Sequence, residues 1–209
     1  MARVTGPLHS DTASGTFAKS LTYSKWKGRP YVRECVTPLN PKAAKQLGVR
    51  SMMRFLATAW AAIKVASAPS WHDDAVARSI SDFNQYVSQN LLRWQNWLAP
   101  TQSWPAAMSS AAQTITTMTP VGGEGQVNLA LAWTTNSDDW CAAIMRSPAT
   151  ITVFDWTKVV AVVAPTSAGV VTYIDSPLVA GNYYYSAVIM NKDGKMGTPK
   201  ASSAAITVT

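Results

Sequence analysis

The chain has 209 residues, enough for one large domain or two small ones with cores of their own. Charged residues make up 14% and apolar residues 47%, a balance that excludes a disordered acidic or basic tail. The net charge of +7 is an N-terminal property: residues 1–60 hold ten Lys/Arg against Asp11 and Glu34, whereas residues 101–209 carry five basic and six acidic side chains.

The longest apolar run, residues 159–164, is far short of a membrane span, so no bilayer insertion is expected. The first residues, Met1-Ala2-Arg3-Val4-Thr5-Gly6-Pro7, have no apolar stretch behind the arginine, and no secretory signal is expected. Two cysteines, Cys35 and Cys141, lie in stretches of different character, which argues against a disulfide framework and against zinc.

Residues 1–40 read as an extended basic arm or hairpin. Residues 16–23 alternate, with Phe17, Lys19, Leu21 and Tyr23 on one side, residues 31–37 read as extended, and Gly28-Arg29-Pro30 makes a turn between the two pieces. The zone has too few apolar residues for a core and is expected to complete itself on something else.

Residues 41–99 read as a helical docking domain. Asn40 offers an N-cap and Pro41 a first helical residue, where its missing N–H costs nothing. Met52, Phe55, Leu56, Ala59, Trp60 and Ile63 then form one apolar stripe. Ala66-Ser67-Ala68-Pro69 is expected to break this helix, with Ser70-Trp71-His72-Asp73 capping a second one whose face carries Val76, Ile80, Phe83 and Val87, so the two make a helical hairpin. Trp94, Trp97 and Trp104 are expected to close the edge of that core, a ligand-binding aromatic platform being the sharper alternative. Residues 100–112, small and uncharged, read as a linker.

From residue 113 the texture changes to short strands: 113–118, 126–134, 140–146, 151–154 or 159–163, 170–174, 182–190 and 202–208. Seven strands with turn signals at 120–125, 136–139 and 191–194 predict a β-sandwich over 113–209. In 127–133 the odd positions bury Val127, Leu129, Leu131 and Trp133. The fold class is therefore α+β in two parts: an extended arm or hairpin with a helical hairpin, then a seven-stranded all-β sandwich.

Catalytic constellations are scarce. His72-Asp73-Asp74 reads as a helix start with acidic residues favoured by the dipole rather than as a metal or general-base site. Val121-Gly122-Gly123-Glu124-Gly125 lacks the Lys-Ser/Thr of a phosphate loop and precedes a strand. Asp138, Asp139 and Asp155 read as solvated loop acids rather than a glycosidase pair. Neither cysteine sits near a histidine in the sequence. No catalytic, metal-binding or cofactor-binding residue is expected, and no enzymatic activity.

Two resemblances add to this reading. Gly125-Gln126-Val127-Asn128-Leu129-Ala130-Leu131-Ala132-Trp133, Tyr173-Ile174-Asp175, and Leu178-Val179-Ala180-Gly181-Asn182-Tyr183-Tyr184-Tyr185-Ser186-Ala187-Val188 resemble a fibronectin type III domain. That family has a Trp ending its second strand and a Leu and Gly before a tyrosine-bearing sixth strand, and Asn191-Lys192-Asp193-Gly194 fits its last hairpin. Either Tyr183 or Tyr184 would make the corner hydrogen bond. The resemblance implies a binding or spacer module without an active site. Residues 1–97 are similar to a family of uncharacterised structural proteins of tailed bacteriophages. Leu21-Thr22-Tyr23-Ser24-Lys25-Trp26-Lys27-Gly28-Arg29-Pro30-Tyr31-Val32-Arg33, Pro38-Leu39-Asn40-Pro41-Lys42, residues 46–50, Phe55, Trp60, Phe83-Asn84-Gln85-Tyr86-Val87 and Asn90-Leu91-Leu92-Arg93 carry that similarity. It implies a virion component, assembled in the host cytoplasm, of the tail or head–tail region.

On that basis the chain is expected to be a virion structural protein, a tail or tail-fibre adaptor present in multiple copies around a symmetry axis. Its assembly contacts are expected from Lys25, Trp26, Lys27, Arg29, Tyr31 and Arg33 in the arm and from Arg50 and Arg54 in the helix, with other tail, adaptor or fibre subunits as partners. The alternatives are a capsid decoration protein and a host-glycan-binding adhesin with Trp140, Trp156 or Tyr183 as platforms. Nucleic acid is the disfavoured partner, because no helix-turn-helix or zinc finger accompanies the basic residues.

Overall fold

The computed structural model describes residues 2–3, 14–18, 20–36, 43–109, 113–134, 137–165, 169–202 and 204–209. The helix-start signal at Asn40-Pro41, and His9 and Asp11, lie outside the described residues. The chain divides into two units, Met1–Pro41 and Lys42–Thr209.

The first unit is a four-stranded antiparallel sheet built from β1 (Ala2–Arg3), β2 (Gly15–Phe17), β3 (Leu21–Trp26) and β4 (Arg29–Glu34), in the order β1-β4-β3-β2. Residues 16–23, expected to be one extended piece, instead fold back on themselves: Phe17 pairs with Leu21, and Ser20 N–H donates to the Phe17 carbonyl at 2.9 Å. The main turn lies one residue earlier than expected. Trp26 pairs with Arg29, so Lys27-Gly28 form a two-residue hairpin loop, with φ of 48° and 79°. Positive φ at both central residues is the mirror-image turn whose twist matches paired strands, and Gly28 supplies the second at no steric cost.

In the second unit, α1 runs unbroken over Ala44–Ala77 with Pro69 inside it. The break expected at Pro69 does not occur, although an interior proline costs a helix about 3 kcal/mol. Tertiary contacts offset that cost: Trp71, two residues on, is fully buried and donates its indole N–H to the Gln102 carbonyl at 2.9 Å, and Ala75 is fully buried one turn later. The helix ends instead at Arg78, where Ser79 takes a left-handed conformation (φ 55°) and Ile80 N–H returns to the Ala75 carbonyl. Val76 is therefore exposed and Ile80 lies in the connection rather than on the face of a second helix. The second helix, α2 (Asp82–Gln95), is capped by Ser81, whose hydroxyl accepts from Asn84 N–H. Phe83 and Val87 do pack inward, and Tyr86 sits between Trp60 and Trp71, with ring centroids 4.9 and 5.6 Å away.

The strands that follow are β5 (Thr117–Gly123), β6 (Gln126–Ala132), β7 (Asp139–Ser147), β8 (Val159–Val163), β9 (Val170–Asp175), β10 (Gly181–Asn191), β11 (Lys200–Ala201) and β12 (Ile206–Val208). They form a three-stranded sheet, β5-β6-β9, and a five-stranded one, β11-β10-β7-β8 with β12 also on β10. The described residues from 113 on thus hold eight strands in two sheets where seven were expected, and the N-terminal sheet brings the described total to twelve strands in three sheets. Of the alternatives at 151–154 and 159–163 the latter is the strand, and of the expected 202–208 strand only Ile206–Val208 is described as strand, a separate two-residue strand lying just before it at Lys200–Ala201. Pro120, read as the start of a turn, lies within β5; that strand is an edge of its sheet, where a proline need not supply a ladder hydrogen bond.

The layers share strands. Val127, Leu129, Leu131 and Trp133 meet Ala142, Ile144, Tyr185, Ala187 and Ile189 in the core between the two sheets. The other faces of β7 and β10 are covered by the helices: Cys141, Ala143, Met145, Val188 and Met190 share a core with Met52, Phe55, Leu56, Trp71, Tyr86 and Trp94. The second unit is therefore one three-layer body, and residues 100–112 do not part a helical domain from a sandwich. The expected linker is instead held down at its start. Asn90 Nδ2 donates to the Thr101 carbonyl at 2.9 Å and Asn90 Oδ1 accepts from Thr101 N–H at 2.7 Å. Thr101 Oγ1 lies within hydrogen-bond reach of the Ser103 and Lys192 carbonyls, Gln102 N–H donates to that same Lys192 carbonyl, and Arg93 bridges the Ala99 and Gly194 carbonyls. Burial lowers the Arg93 pKa below its ordinary value.

Candidate interaction surface on the N-terminal sheet

Side chains alternate between the faces of a strand, so the register sorts the arm residues. Phe17 with Leu21, Tyr23 with Val32, and Lys25 with Pro30 fall on one face; Thr22 with Arg33, Ser24 with Tyr31, and Trp26 with Arg29 fall on the other. The six arm residues expected to act together therefore do not share a face. Trp26, Arg29, Tyr31 and Arg33 do; Lys25 lies opposite, and Lys27 sits in the turn with its ammonium 4.8 Å from the Trp26 ring centroid. Trp26 is 65% exposed, Arg29 and Arg33 are exposed, and Tyr31 is half-buried. Glu34, the strand's acid, pairs with Leu21 on the opposite face.

Arg50 and Arg54 belong to the second unit. Both are exposed on α1, one turn apart, and Arg50 borders an open groove with Lys45, Gln46, Val49 and Trp156. The α1 backbone runs close to the short 3-10 turn Trp156–Lys158 there: a Cβ on Gly48 would stand 2.6 Å from the Trp156 carbonyl oxygen.

The remaining polar candidates have structural partners. His72 is not a helix cap; it lies within α1, its Nδ1 3.2 Å from Asp82 Oδ1 at the start of α2. Asp138 pairs with Lys192 at 2.7 Å, and that bond raises the lysine pKa. Asp139 accepts the Trp133 indole N–H at 2.9 Å. Asp155 caps the 3-10 turn. Burial would raise its pKa, but bonds from the Thr157 N–H and hydroxyl and the nearby Lys158 ammonium outweigh it and hold the carboxyl below its ordinary range. None of these three acids is a freely solvated loop residue. Cys141 is fully buried, and burial pushes its thiol pKa up, away from the reactive thiolate. Among the described residues no three His, Cys, Asp or Glu are placed to hold a metal ion.

The aromatic platform candidates are similarly engaged. Trp140 is buried against Phe55 and Trp94 is fully buried against Phe154, while Trp104 stacks on Trp71. Trp97 is 48% exposed and leans on Trp156, ring centroids 5.8 Å apart. Of the two corner tyrosines, Tyr183 makes the bond: its hydroxyl donates to the Val179 carbonyl at 2.8 Å. Sequence reasoning passed over Tyr185, whose fully buried hydroxyl donates to Asp175, itself paired with Arg146 at 2.7 Å. The alternation Tyr183-Tyr184-Tyr185, set on Gly181, was the available signal that two of the three point to one face.

Comparison with known proteins adds little. A search against protein-family models finds no match, and no curated protein matches. Among solved structures the chain is similar to the fibronectin(III)-like modules of Clostridium thermocellum CbhA, at 10% identity and a TM-score of 0.30, over 46% of this chain and 92% of that one. It is also similar to the PmoD soluble domain from Methylocystis sp. ATCC 49242 (Rockwell), at 12% identity and a TM-score of 0.30, over 43% of this chain and 76% of that one.

Proposed function

We propose that this chain is a structural protein of a tailed-bacteriophage virion, a tail or tail-fibre adaptor that docks on neighbouring subunits and projects a fibronectin type III-like β-sandwich. The observation that carries the reading is the first unit. It forms a four-stranded sheet, yet among residues 14–18 and 20–36 no side chain is fully buried, and Phe17, Trp26 and Val36 stand exposed. A sheet with no fully buried side chain gains little from folding alone and gains more when a partner covers it. The likeness of residues 1–97 to phage structural proteins supports the same reading, as does the composition of the exposed face, since Trp, Tyr and Arg dominate binding hot spots. For the sandwich, the sheet order β5-β6-β9 against β11-β10-β7-β8 and the Tyr183 bond support the fibronectin-like assignment.

Counting copies of the chain in purified, salt-washed virions by quantitative mass spectrometry tests this. Closed cyclic symmetry in a tail gives on the order of six or twelve copies. A count in the hundreds makes it a capsid decoration protein, and absence from the particle refutes the virion role.

A further inference from the structure

We propose that the face carrying Trp26, Arg29, Tyr31 and Arg33 is the docking face, and that its occupant is a carboxylate-rich segment of another protein; this rests on the assembly reading above. The register supplies the argument. Along β4, Arg29, Tyr31 and Arg33 alternate with Pro30 and Val32, so two guanidiniums flank one phenol on a single face, with Trp26 directly opposite Arg29. Four residues of strand separate the arginines by about 13 Å. Thr22 and Ser24, paired with Arg33 and Tyr31, keep the β3 half of the face low and polar. Among the described residues of this unit no acid falls on it, Glu34 being on the other side, so those residues present positive charge beside aromatic surface.

Charge complementarity then calls for an anionic partner, and the chemistry selects carboxylates. A guanidinium matches a carboxylate with two parallel hydrogen bonds, and an exposed Trp with a half-buried Tyr provides apolar area at low entropy cost. Nucleic acid needs more than the face offers. Binding to a phosphate backbone draws its affinity from roughly six to ten cationic contacts. Here Arg29 and Arg33 share the face with the register position of Arg3, opposite Tyr31, and Lys27 lies at its edge over the Trp26 ring, while Lys25 falls on the opposite side. The cations are divided between faces rather than strung into a track.

The test uses the full chain and fluorescence anisotropy with two probes at 50 and 200 mM salt: a labelled 12-residue oligoglutamate and a labelled 12-nucleotide thymidylate single strand. The variants are Arg29→Gln with Arg33→Gln, Trp26→Ala, and Lys25→Gln with Lys27→Gln, each compared with the parent by thermal unfolding. The expected result is oligoglutamate binding weakened at least fivefold by the arginine pair and by Trp26→Ala, and less than twofold by the lysine pair. Should Trp26→Ala fail to fold, the comparison of the two charge pairs still decides. Equal losses from both pairs would mean diffuse charge and overturn the assignment, as would no oligoglutamate binding at 50 mM salt. Tighter binding of the thymidylate strand, lost in Trp26→Ala, would give the face to single-stranded nucleic acid instead. Failure here alongside a positive virion count leaves the assembly reading standing with another face in use; success alongside absence from virions leaves the face standing and refutes the virion.

Discussion

Replacing Asn90 by Ala should cost more than almost any other polar substitution in the chain. Asn90 and Thr101 are both fully buried, and the Asn90 amide satisfies both the N–H and the carbonyl of Thr101. Alanine leaves one buried donor and one buried acceptor without partners, at about 1–3 kcal/mol each, so the expected loss is about 2–6 kcal/mol. That is a large part of a typical folding free energy of about 5–15 kcal/mol. For a body of this size it corresponds to a fall in Tm of about 8–16 °C, taking the middle of that range and about 2–4 °C per kcal/mol. Two controls sharpen the test. Asn96→Ala removes an exposed bond from its amide to the Leu92 carbonyl and should shift Tm by little. Thr101→Ala keeps the Asn90 clamp and loses only the hydroxyl contacts with Ser103 and Lys192, so it should fall between the two. Differential scanning calorimetry reads all three; an Asn90→Ala shift under 2 °C, or one no larger than that of Asn96→Ala, would refute the claim that this clamp fastens residues 99–104 to the helices.

Further outcomes follow from the same structure. Residues 42–209 alone should fold with the parent's cooperative unfolding, whereas residues 113–209 alone should expose Trp140, Met145, Val188 and Met190 and aggregate; a monomeric, protease-resistant 113–209 fragment would disprove the shared core. Tyr173 should ionise late. Burial, then the Asp175 carboxylate, push its phenol up to about 12 against the opposing pull of Arg146. Because folding favours the neutral form, its stabilising contribution is complete below pH 10 and lost as pH rises from about 10 to about 12. Absorbance at 295 nm should therefore show this tyrosine protonated at pH 11 in the native protein, and ionised in a Tyr173-containing unfolded control. Gly122→Ala should destabilise by about 1–3 kcal/mol in urea unfolding, because the new Cβ would drive into the Thr207 carbonyl where β12 crosses β5; a neutral effect would mean that crossing is loose.

Strand β6 was legible because one of its faces is buried and the other is wet, so apolar residues alternate, whereas β5 has no buried position and was expected several residues too early. The helix layer over β7 was not read, although its signal was present. Residues 140–145, Trp-Cys-Ala-Ala-Ile-Met, have no polar alternate, which is how a strand buried on both sides reads, and β7 is buried at nearly every position. The helix ends were hidden for another reason. Both α1 and α2 stop in left-handed turns that usually carry glycine, but Ser79 and Trp97 occupy those positions here, while Pro69 advertises a stop that packing overrides. In the arm, the basic and aromatic residues were identifiable by type. Their division between faces was not, because it depends on a turn at Lys27-Gly28, and a one-residue error in the turn exchanges every side chain.

The two cysteines fall one in each unit, and their settings differ: Cys35 is half-buried just past the end of β4 in the first, and Cys141 is wholly enclosed between the layers of the second. Alkylation of a thiol enclosed in this way waits for the surrounding core to open, whereas a half-buried thiol beside a small sheet reacts after a local excursion. The chain therefore carries its own pair of chemical clocks. Timed labelling with a small iodoacetamide reagent, read by intact mass and peptide mapping, would time the opening of each unit separately, without any engineered probe. Adding a partner that covers the first unit should slow Cys35 and leave the Cys141 clock unchanged.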